Sequence, residues 1–178
     1  IQVYEEALPN LTPNVFDNVV EEVAQEYKEQ VYTYTRTLAK DLKKKGYFLV
    51  AISGSHEELV KHVALQYGFD VWAGTRYERQ GNRFTGNKFV ASKDKRTVLE
   101  EFVEQHRLSY KNSVGVGDSK NDVLFLEMVE TPIVFNPDKE LYDVAEQRSW
   151  KIVIERKNMV YELERKDGTY ILAKTNIR

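Results

Sequence analysis

The sequence contains no cysteine in its 178 residues. A thiol nucleophile, a thiolate zinc site and a disulfide framework are therefore excluded. The lack of cysteine also agrees with a cytoplasmic location, which we take as an expectation.

Long apolar runs and a surplus of one charge are missing as well. The longest apolar run, Tyr47 to Ile52, is far too short to cross a bilayer. The 26 basic and 28 acidic residues leave a formal net charge of -2, which gives no electrostatic reason to bind nucleic acid or an anionic membrane. We therefore expect neither of these partners.

The pattern of apolar residues changes near Gly46. Before it, Thr12-Pro13 and the helical spacing of Val15 to Val23 predict one helix, and a second is predicted to end in Lys43-Lys44-Lys45. After it, short apolar runs alternate with helical segments, which predicts an open parallel α/β sheet. The strands are expected at 47–52, 71–73, 113–116, 133–135 and 152–154, and the helices at 57–67, 95–105, 121–128 and 139–148. Turns with glycine at 80–82 and 166–168 predict two β-hairpins.

Two predicted strand ends carry groups suited to ligand binding, which in such sheets occurs beyond the carboxyl ends of the strands. The first is Ser53-Gly54-Ser55, where a hydroxyl and unhindered backbone N–H groups can bind a phosphate oxygen. The alternative for this segment is structural, because Ser55 would also serve as the N-cap of the following helix.

The second strand end is Gly115 to Asp122, which reads Gly-Val-Gly-Asp-Ser-Lys-Asn-Asp. Its glycines allow the backbone to turn where a side chain would obstruct a ligand. Asp118 and Asp122 are four residues apart, so their carboxylates can face one site if a helix begins there. Two neighbouring carboxylates repel each other, and Mg²⁺ would relieve this repulsion at a site shared with phosphate. The alternative is a helix cap formed by Asp118 or Ser119, with Asp122 favouring the helix dipole.

The charge run Lys93-Asp94-Lys95-Arg96 lies between these strand ends, at the start of a predicted helix. Such a run is usually a solvated surface. Cations are slightly unfavourable at a helix N-terminus, so a functional lysine is the second interpretation.

A serine at one strand end, a lysine at a helix start and the Gly-Asp-x-x-Asn-Asp loop follow the order of motifs two, three and four of the haloacid dehalogenase (HAD) superfamily. The chain resembles the phosphoserine-phosphatase branch of that superfamily, subfamily IB, over about residues 31 to 157. Further segments share the resemblance, namely 46–53, 68–70, 75–76, 84–86, 136–138 and 149–150. The resemblance implies an α/β fold with a HAD-like Rossmannoid parallel sheet and a partial helical cap.

The resemblance also implies a Mg²⁺-dependent phosphomonoester hydrolase, phosphoserine-phosphatase-like, that acts on a small phosphorylated metabolite through an aspartyl-phosphate intermediate. Ser53 and the Gly54 amide would bind a transferring phosphoryl oxygen. Lys95, in preference to Lys93, would neutralise charge shared by the nucleophile and the phosphate. Arg76 would be either a substrate contact or part of a structural salt bridge.

The remaining roles implied by the resemblance fall in the acidic loop. Asp118 would be a direct Mg²⁺ ligand, and Asp122 would support the metal site through water or through the groups around the metal. Asn121 would orient its neighbours and take part in phosphate binding. His56 and the other two histidines, His62 and His106, show no metal-ligand spacing and are expected at the surface.

The family's first motif, Asp-x-Asp after an N-terminal strand, does not occur in the sequence. The nearest string has no second acid two places after Asp17 and lies in a predicted helix, so we interpret Asp17 as a solvent-facing helix residue. Because the chain begins at Ile1 rather than at methionine, we expect the first strand and the nucleophile to precede it. Residues 1–30 are then a partial helical cap, 31–157 the HAD-like core domain and 158–178 a C-terminal β-hairpin extension.

Two other classes of function are alternatives. One is a non-catalytic, regulatory protein of HAD fold that binds phosphate or a metabolite. The other is a phosphoryl-accepting relative, although ion pumps with a similar loop carry long membrane segments. An Asp-x-Asp motif upstream of Ile1 distinguishes the enzyme from the regulatory protein.

Overall fold

The computed structural model describes residues 6–156 and 159–177. Its helices are α1 (Pro13–Tyr27), α2 (Thr33–Lys44), α3 (Glu57–Tyr67), α4 (Lys95–Gln105), α5 (Val123–Leu126) and α6 (Lys139–Arg148). Its strands are β1 (Val50–His56), β2 (Val71–Gln80), β3 (Arg83–Val90), β4 (Val114–Gly117), β5 (Thr131–Phe135), β6 (Lys151–Arg156), β7 (Met159–Lys166) and β8 (Thr169–Ile177). The chain divides into two units, Ile1–Asp94 and Lys95–Arg178.

The first unit contains a three-stranded sheet in the order β1-β2-β3. β1 and β2 are parallel and joined by α3, whereas β2 and β3 form an antiparallel hairpin. Thr12 caps α1, because its hydroxyl accepts a hydrogen bond from the Val15 amide. One face of α1 packs on the hairpin and on a preceding 3-10 turn through a buried cluster of Leu8, Phe16, Val20 and Phe84.

β1 differs from its predicted bounds by starting three residues later and ending four residues later. The carboxylate of Asp70 accepts a hydrogen bond from the Leu49 amide at 2.7 Å, and the Leu49 carbonyl accepts bonds from the amides of Asp70 and Val71. Regular pairing therefore begins only at Val50, opposite Val71. The continuous apolar run at 47–52 is typical of a strand buried on both faces, but β1 is an edge strand of its sheet and is only partly buried, so that interpretation of the run is wrong.

The second unit contains a five-stranded sheet in the order β4-β5-β6-β7-β8. β4, β5 and β6 are parallel, and β7 and β8 are added in antiparallel fashion. The predicted C-terminal hairpin is therefore present and extends the parallel part of the sheet. The core beneath it is formed by Leu126, Val134, Leu141, Ala145 and Ile152, all fully buried.

Both units confirm the α/β class with parallel strands and intervening helices. α4 and α6 have the predicted bounds, whereas the helix expected at 121–128 is a 3-10 turn, Lys120–Asp122, followed by the short α5. The division into cap, core and hairpin extension stays a prediction. No helix in the described part of the chain combines the length and the apolar character that a membrane crossing requires.

Candidate active site

The acidic loop after β4 is organised by a buried ion pair. Lys95, the first residue of α4, donates a hydrogen bond from Nζ to Oδ1 of Asp122 at 2.5 Å. The lysine side chain is 15% exposed and the Asp122 side chain 1% exposed. Of the two lysines in the charge run, Lys95 is therefore the one that contacts the loop, and Lys93 is exposed on a 3-10 turn of the first unit.

The second oxygen of Asp122 holds the beginning of the loop. Oδ2 accepts hydrogen bonds from the Asp118 amide at 2.8 Å, the Ser119 amide at 3.0 Å and the Ser119 hydroxyl at 3.3 Å. A Cβ on Gly117 would lie 2.5 Å from the Cβ of Asp122. The glycine that we had assigned to ligand approach is thus needed because the Asp122 side chain packs against its backbone.

This arrangement shifts the pKa values of the two acids in opposite directions. Asp118 is at the surface, but partial desolvation of its carboxylate, followed by the nearby negative charge of Asp122, raises its pKa. Burial acts on Asp122 in the same direction, but the hydrogen bond and charge of Lys95, together with the loop amides, outweigh it and lower the pKa of Asp122. Asp122 therefore stays ionised as the anchor of the loop, and a cation beside Asp118 would stabilise the second negative charge.

The donor set of the loop suits Mg²⁺. This ion is usually bound through one or two carboxylates together with water and substrate phosphate oxygens. Within residues 6–156 and 159–177, no group of three or more acidic or histidine side chains has a metal-binding arrangement. Asp118 is exposed, whereas Asp122 is buried and both of its oxygens already accept hydrogen bonds, so of the two acids Asp118 is the one that could bind such an ion directly.

The middle of the loop is the 3-10 turn Lys120–Asp122. Lys120 forms an ion pair with Glu140 on α6, and its amide donates a hydrogen bond to Oδ2 of Asp138 at 3.0 Å. Asn121 lies in the same turn and is exposed. Its role in orienting neighbours and binding phosphate stays a prediction.

The segment Ser53-Gly54-Ser55 belongs to the first unit and lies in the last part of β1. The pairing of β1 with β2 is irregular between Ile52 and His56, which places Ser53 and Gly54 in a bulge, a feature that often lies next to active sites. The Ser53 hydroxyl oxygen accepts a hydrogen bond from the Ser55 amide at 3.1 Å. Ser55 does not cap α3, whose N-cap is His56 without a side-chain cap bond, because β1 continues through both residues. The predicted capping role of Ser55 is therefore wrong.

Two further hydroxyls lie against Gly54, and the sequence analysis assigned a role to neither. Thr75 on β2 donates a hydrogen bond from Oγ1 to the Gly54 carbonyl at 2.8 Å. The Ser92 hydroxyl lies 2.8 Å from the position that a Cβ on Gly54 would occupy. Thr75 lies in one of the segments that share the family resemblance, but the sequence gave neither hydroxyl a role, since their contacts depend on strand register and on the path of the chain after β3.

Arg76 and Asp17 both take part in ion pairs of the first unit. Arg76 Nε lies 3.5 Å from Oε2 of Glu57, which agrees with the salt-bridge alternative. Asp17 lies in α1 as predicted, but it accepts two hydrogen bonds from the Arg79 guanidinium at 2.8 and 2.7 Å. Its side chain is thus held against β2 and does not simply face solvent.

His56 contradicts the expectation that the histidines lie at the surface. Its ring is partly buried, with centroids 5.3 Å from Phe16 and 5.3 Å from Tyr77. Because β1 runs as far as position 56, the ring packs in the aromatic cluster beneath α1. Burial accordingly lowers the pKa of His56.

Similarity to known proteins agrees with this arrangement of elements. The model of a family described as haloacid dehalogenase-like hydrolase matches residues 2–127. A phosphoserine phosphatase of Archaeoglobus fulgidus is 30% identical over 114 residues, which are 62% of this chain and 33% of that protein. This chain spans 42% and 56% of two other curated relatives, so it corresponds to only part of their length.

Solved structures give the same fold. A Bordetella pertussis Tohama I protein of unknown function matches with a TM-score of 0.74 at 20% identity, over 85% of this chain and 70% of that one. A phosphoserine phosphatase, solved as an analogue of its phospho-aspartyl intermediate, matches with a TM-score of 0.56 at 22% identity, over 68% of this chain and 57% of that one. At these identities the likeness is one of fold.

Proposed function

Because the chain belongs to the haloacid dehalogenase-like hydrolase family, we propose that it supplies the phosphate- and metal-binding residues of a Mg²⁺-dependent phosphomonoester hydrolase. The observation that carries the proposal is the buried Lys95–Asp122 pair, which fixes the loop that holds Asp118. A buried ion pair contributes little to stability compared with apolar packing, so its presence beside a second acid favours a functional role.

The proposed roles follow from the chemistry of each group. Ser53 and the Gly54 amide donate hydrogen bonds to a phosphoryl oxygen. Lys95 neutralises negative charge as it develops on the phosphate and holds Asp122 ionised. Asp118 binds the metal directly, and Asp122 supports it by fixing the loop backbone. When bound, Mg²⁺ neutralises and orients the phosphate, in a reaction whose catalysis consists mainly of positioning and charge neutralisation.

The nucleophile of this reaction lies, in our proposal, outside the 178 residues. Its carboxylate oxygen attacks phosphorus, the phosphorus–oxygen ester bond breaks, and the alcohol leaves with a proton from a general acid. Water then attacks the aspartyl-phosphate, which releases inorganic phosphate and restores the carboxylate. The absence of Asp-x-Asp from the sequence and the partial coverage of the relatives support this division.

The proposed substrate is phosphoserine or another small phosphomonoester. The name of the Archaeoglobus relative supports phosphoserine. The proposed location is the cytoplasm, which the lack of cysteine favours.

The test is a phosphatase assay of the product of the complete gene with phosphoserine, with and without Mg²⁺. We expect Mg²⁺-dependent release of phosphate that falls at least about 100-fold in Asp118→Asn and in Lys95→Ala, because each change removes charge stabilisation from the transition state. Arg96→Ala, one residue from Lys95 but exposed and paired with Glu100, is the matched control and retains activity. Unchanged turnover in both site variants would refute the assignment.

A second candidate is a regulatory protein that binds phosphate without hydrolysing it, since such a protein would also lack Asp-x-Asp. The two candidates differ in what precedes Ile1. If the complete gene encodes Asp-x-Asp after an apolar strand and its product turns over phosphomonoesters, the regulatory candidate is excluded. If the complete product binds phosphate and never hydrolyses it, the hydrolase is excluded.

A further inference from the structure

The loop after β5 lies beside the loop that carries Asp118. β4 and β5 are parallel neighbours, with Gly117 opposite Val134, so the segments that follow them leave the sheet at the same edge. The segment after β5 is Asn136-Pro137-Asp138. This segment is tied to the next strand, because the Asn136 side chain accepts a hydrogen bond from the Glu155 amide at 2.8 Å and the Asn136 amide donates to the Val153 carbonyl at 2.9 Å.

Asp138 forms hydrogen bonds both with the N-terminus of α6 and with the acidic loop. Its Oδ1 accepts a hydrogen bond from the Leu141 amide at 2.8 Å and caps α6. Its Oδ2 accepts a hydrogen bond from the Lys120 amide at 3.0 Å, and its own amide donates to the Asp118 carbonyl at 2.9 Å. A cap alone needs only the first of these bonds.

The bonds from Asp138 complete the restraint of the acidic loop. The amides of Asp118 and Ser119 are held by Asp122, whereas the carbonyl of Asp118 and the amide of Lys120 are held by Asp138. The peptide groups on both sides of Asp118 are therefore fixed by two different carboxylate residues. With its backbone held in this way, Asp118 can still change its side-chain rotamer.

We propose that Asp138 is a positioning residue for Asp118, which fixes the metal-binding loop to the N-terminus of α6. The proposal rests on the proposed function, since it assigns to Asp118 the role of metal ligand. Groups that orient a metal ligand typically change metal affinity by 10- to 100-fold when they are removed.

The informative variant is Asp138→Ser in the product of the complete gene. Serine is about as good an N-cap as aspartate, so the bond to the Leu141 amide is retained. Serine has a single, shorter-reaching oxygen and cannot also accept from the Lys120 amide. Glu140→Gln is the matched control, because it removes an exposed carboxylate that contacts the Lys120 side chain but no bond to the loop backbone.

Two measurements test the proposal, namely Mg²⁺ dissociation constants from calorimetry and amide hydrogen exchange. In Asp138→Ser we expect a dissociation constant about tenfold higher, faster exchange at the Lys120 amide and unchanged protection at the Leu141 amide. Glu140→Gln is expected to change the constant less than about twofold, because exposed charges near a site are screened by solvent.

The outcomes separate this proposal from the proposed function. If Asp118→Asn abolishes Mg²⁺ binding while Asp138→Ser binds as the wild type does, the positioning role is wrong and the metal site stands. If both Asp138→Ser and Glu140→Gln weaken binding equally, lost negative charge is the cause and the positioning role is again wrong. If the wild type and Asp118→Asn bind alike, or neither binds, the metal site itself fails and the positioning role with it.

Discussion

Two clusters in this protein have the same charges and differ in burial. In the first unit, Arg79 pairs with Asp17 and Glu58. In the second, Lys95 pairs with Asp122 beside Asp118. Each cluster contains one cation and two carboxylates, so each has a formal charge of -1.

The surroundings of each cluster decide how its excess negative charge is stabilised. The Arg79 side chain is 30% exposed, and the side chains of its partners Asp17 and Glu58 are 44% and 32% exposed, so water screens the excess charge. It also lies over the rings of Phe16 and Phe84, and such stacking together with bidentate pairing suits a structural contact between α1 and the hairpin. Lys95 is 15% exposed and Asp122 is 1% exposed. Partial desolvation and the charge of Asp122 raise the pKa of Asp118, so a cation beside Asp118 would stabilise its negative charge.

The largest effect is expected when buried Asp122 loses the ammonium group of Lys95. Lys95→Ala leaves the carboxylate of Asp122 buried without its ammonium partner, and we expect the free energy of unfolding to fall by about 3 kcal/mol. Urea denaturation at neutral pH measures this change. Arg96→Ala, which removes an exposed i,i+4 pair with Glu100, is the control and should cost at most about 0.5 kcal/mol. Equal losses of unfolding free energy in Lys95→Ala and Arg96→Ala would contradict the difference that we infer between buried and exposed ion pairs.

The second largest effect is expected in the stabilisation of the fold by Mg²⁺, which should depend on Asp118 and not on Asp17. At ten times its dissociation constant, Mg²⁺ is expected to stabilise the wild type by about 1.4 kcal/mol through mass action. Asp118→Asn should gain nothing, whereas Asp17→Asn should gain as much as the wild type, because its cluster is solvated. Thermal unfolding with and without Mg²⁺ measures both, and a Mg²⁺ response that depends on Asp17 would reverse our interpretation.

Removing Asp17 should cost less than breaking the buried pair. Asp17→Asn weakens the bidentate contact between α1 and β2, and we expect a loss of about 0.5 to 1 kcal/mol, the usual size for a partly exposed ion pair. Glu21→Gln, an exposed residue of the same helix, is the control. A loss of similar size in both variants would mean that helix electrostatics, and not the contact with Arg79, is responsible.

The smallest effect is expected in the pH dependence of stability. The Arg79 hydrogen bond lowers the pKa of Asp17 below its ordinary value of 3.8. The unfolded chain therefore binds the proton first, so the contribution of the pair is complete above the ordinary pKa and is lost as the pH falls through the lower, folded value. Denaturation midpoints at about pH 5 and about pH 3 should fall more steeply in the wild type than in Asp17→Asn. Parallel slopes would exclude this linkage.

Much of the fold could be predicted because its elements are marked locally. Proline after Thr12 and the capping aspartate before α6 mark helix starts, and glycines at positive φ (Gly46 and Gly68) follow helix ends. The start of β1 could not be predicted, because Leu49 just before it is bonded to Asp70, a residue 21 positions away. The cap role expected of Ser55 was wrong because the strand continues past it and pairs His56 with Thr75.

Within the candidate site, the family resemblance implied different roles for the two acids, but the sequence did not show the contacts that separate them. Asp118 and Asp122 are four residues apart in one loop, and no local pattern shows which of them is buried. The structure gives Asp122 the buried ammonium and the loop amides, and it raises the pKa of Asp118 by partial desolvation. Asp138 had a local signal as a helix cap, yet its bond to the Lys120 amide follows only from the pairing of β4 with β5.

The sequence by itself determined the α/β class and the family resemblance, and it made Ser53, Lys95, Asp118 and Asp122 candidates, because turns, caps and motif spacing are properties of neighbouring residues. Only the tertiary structure decided which acid is buried, which lysine contacts it, and why Gly117 cannot carry a side chain. Burial and hydrogen bonding between distant segments set the charge state of a carboxylate, and no local pattern encodes them.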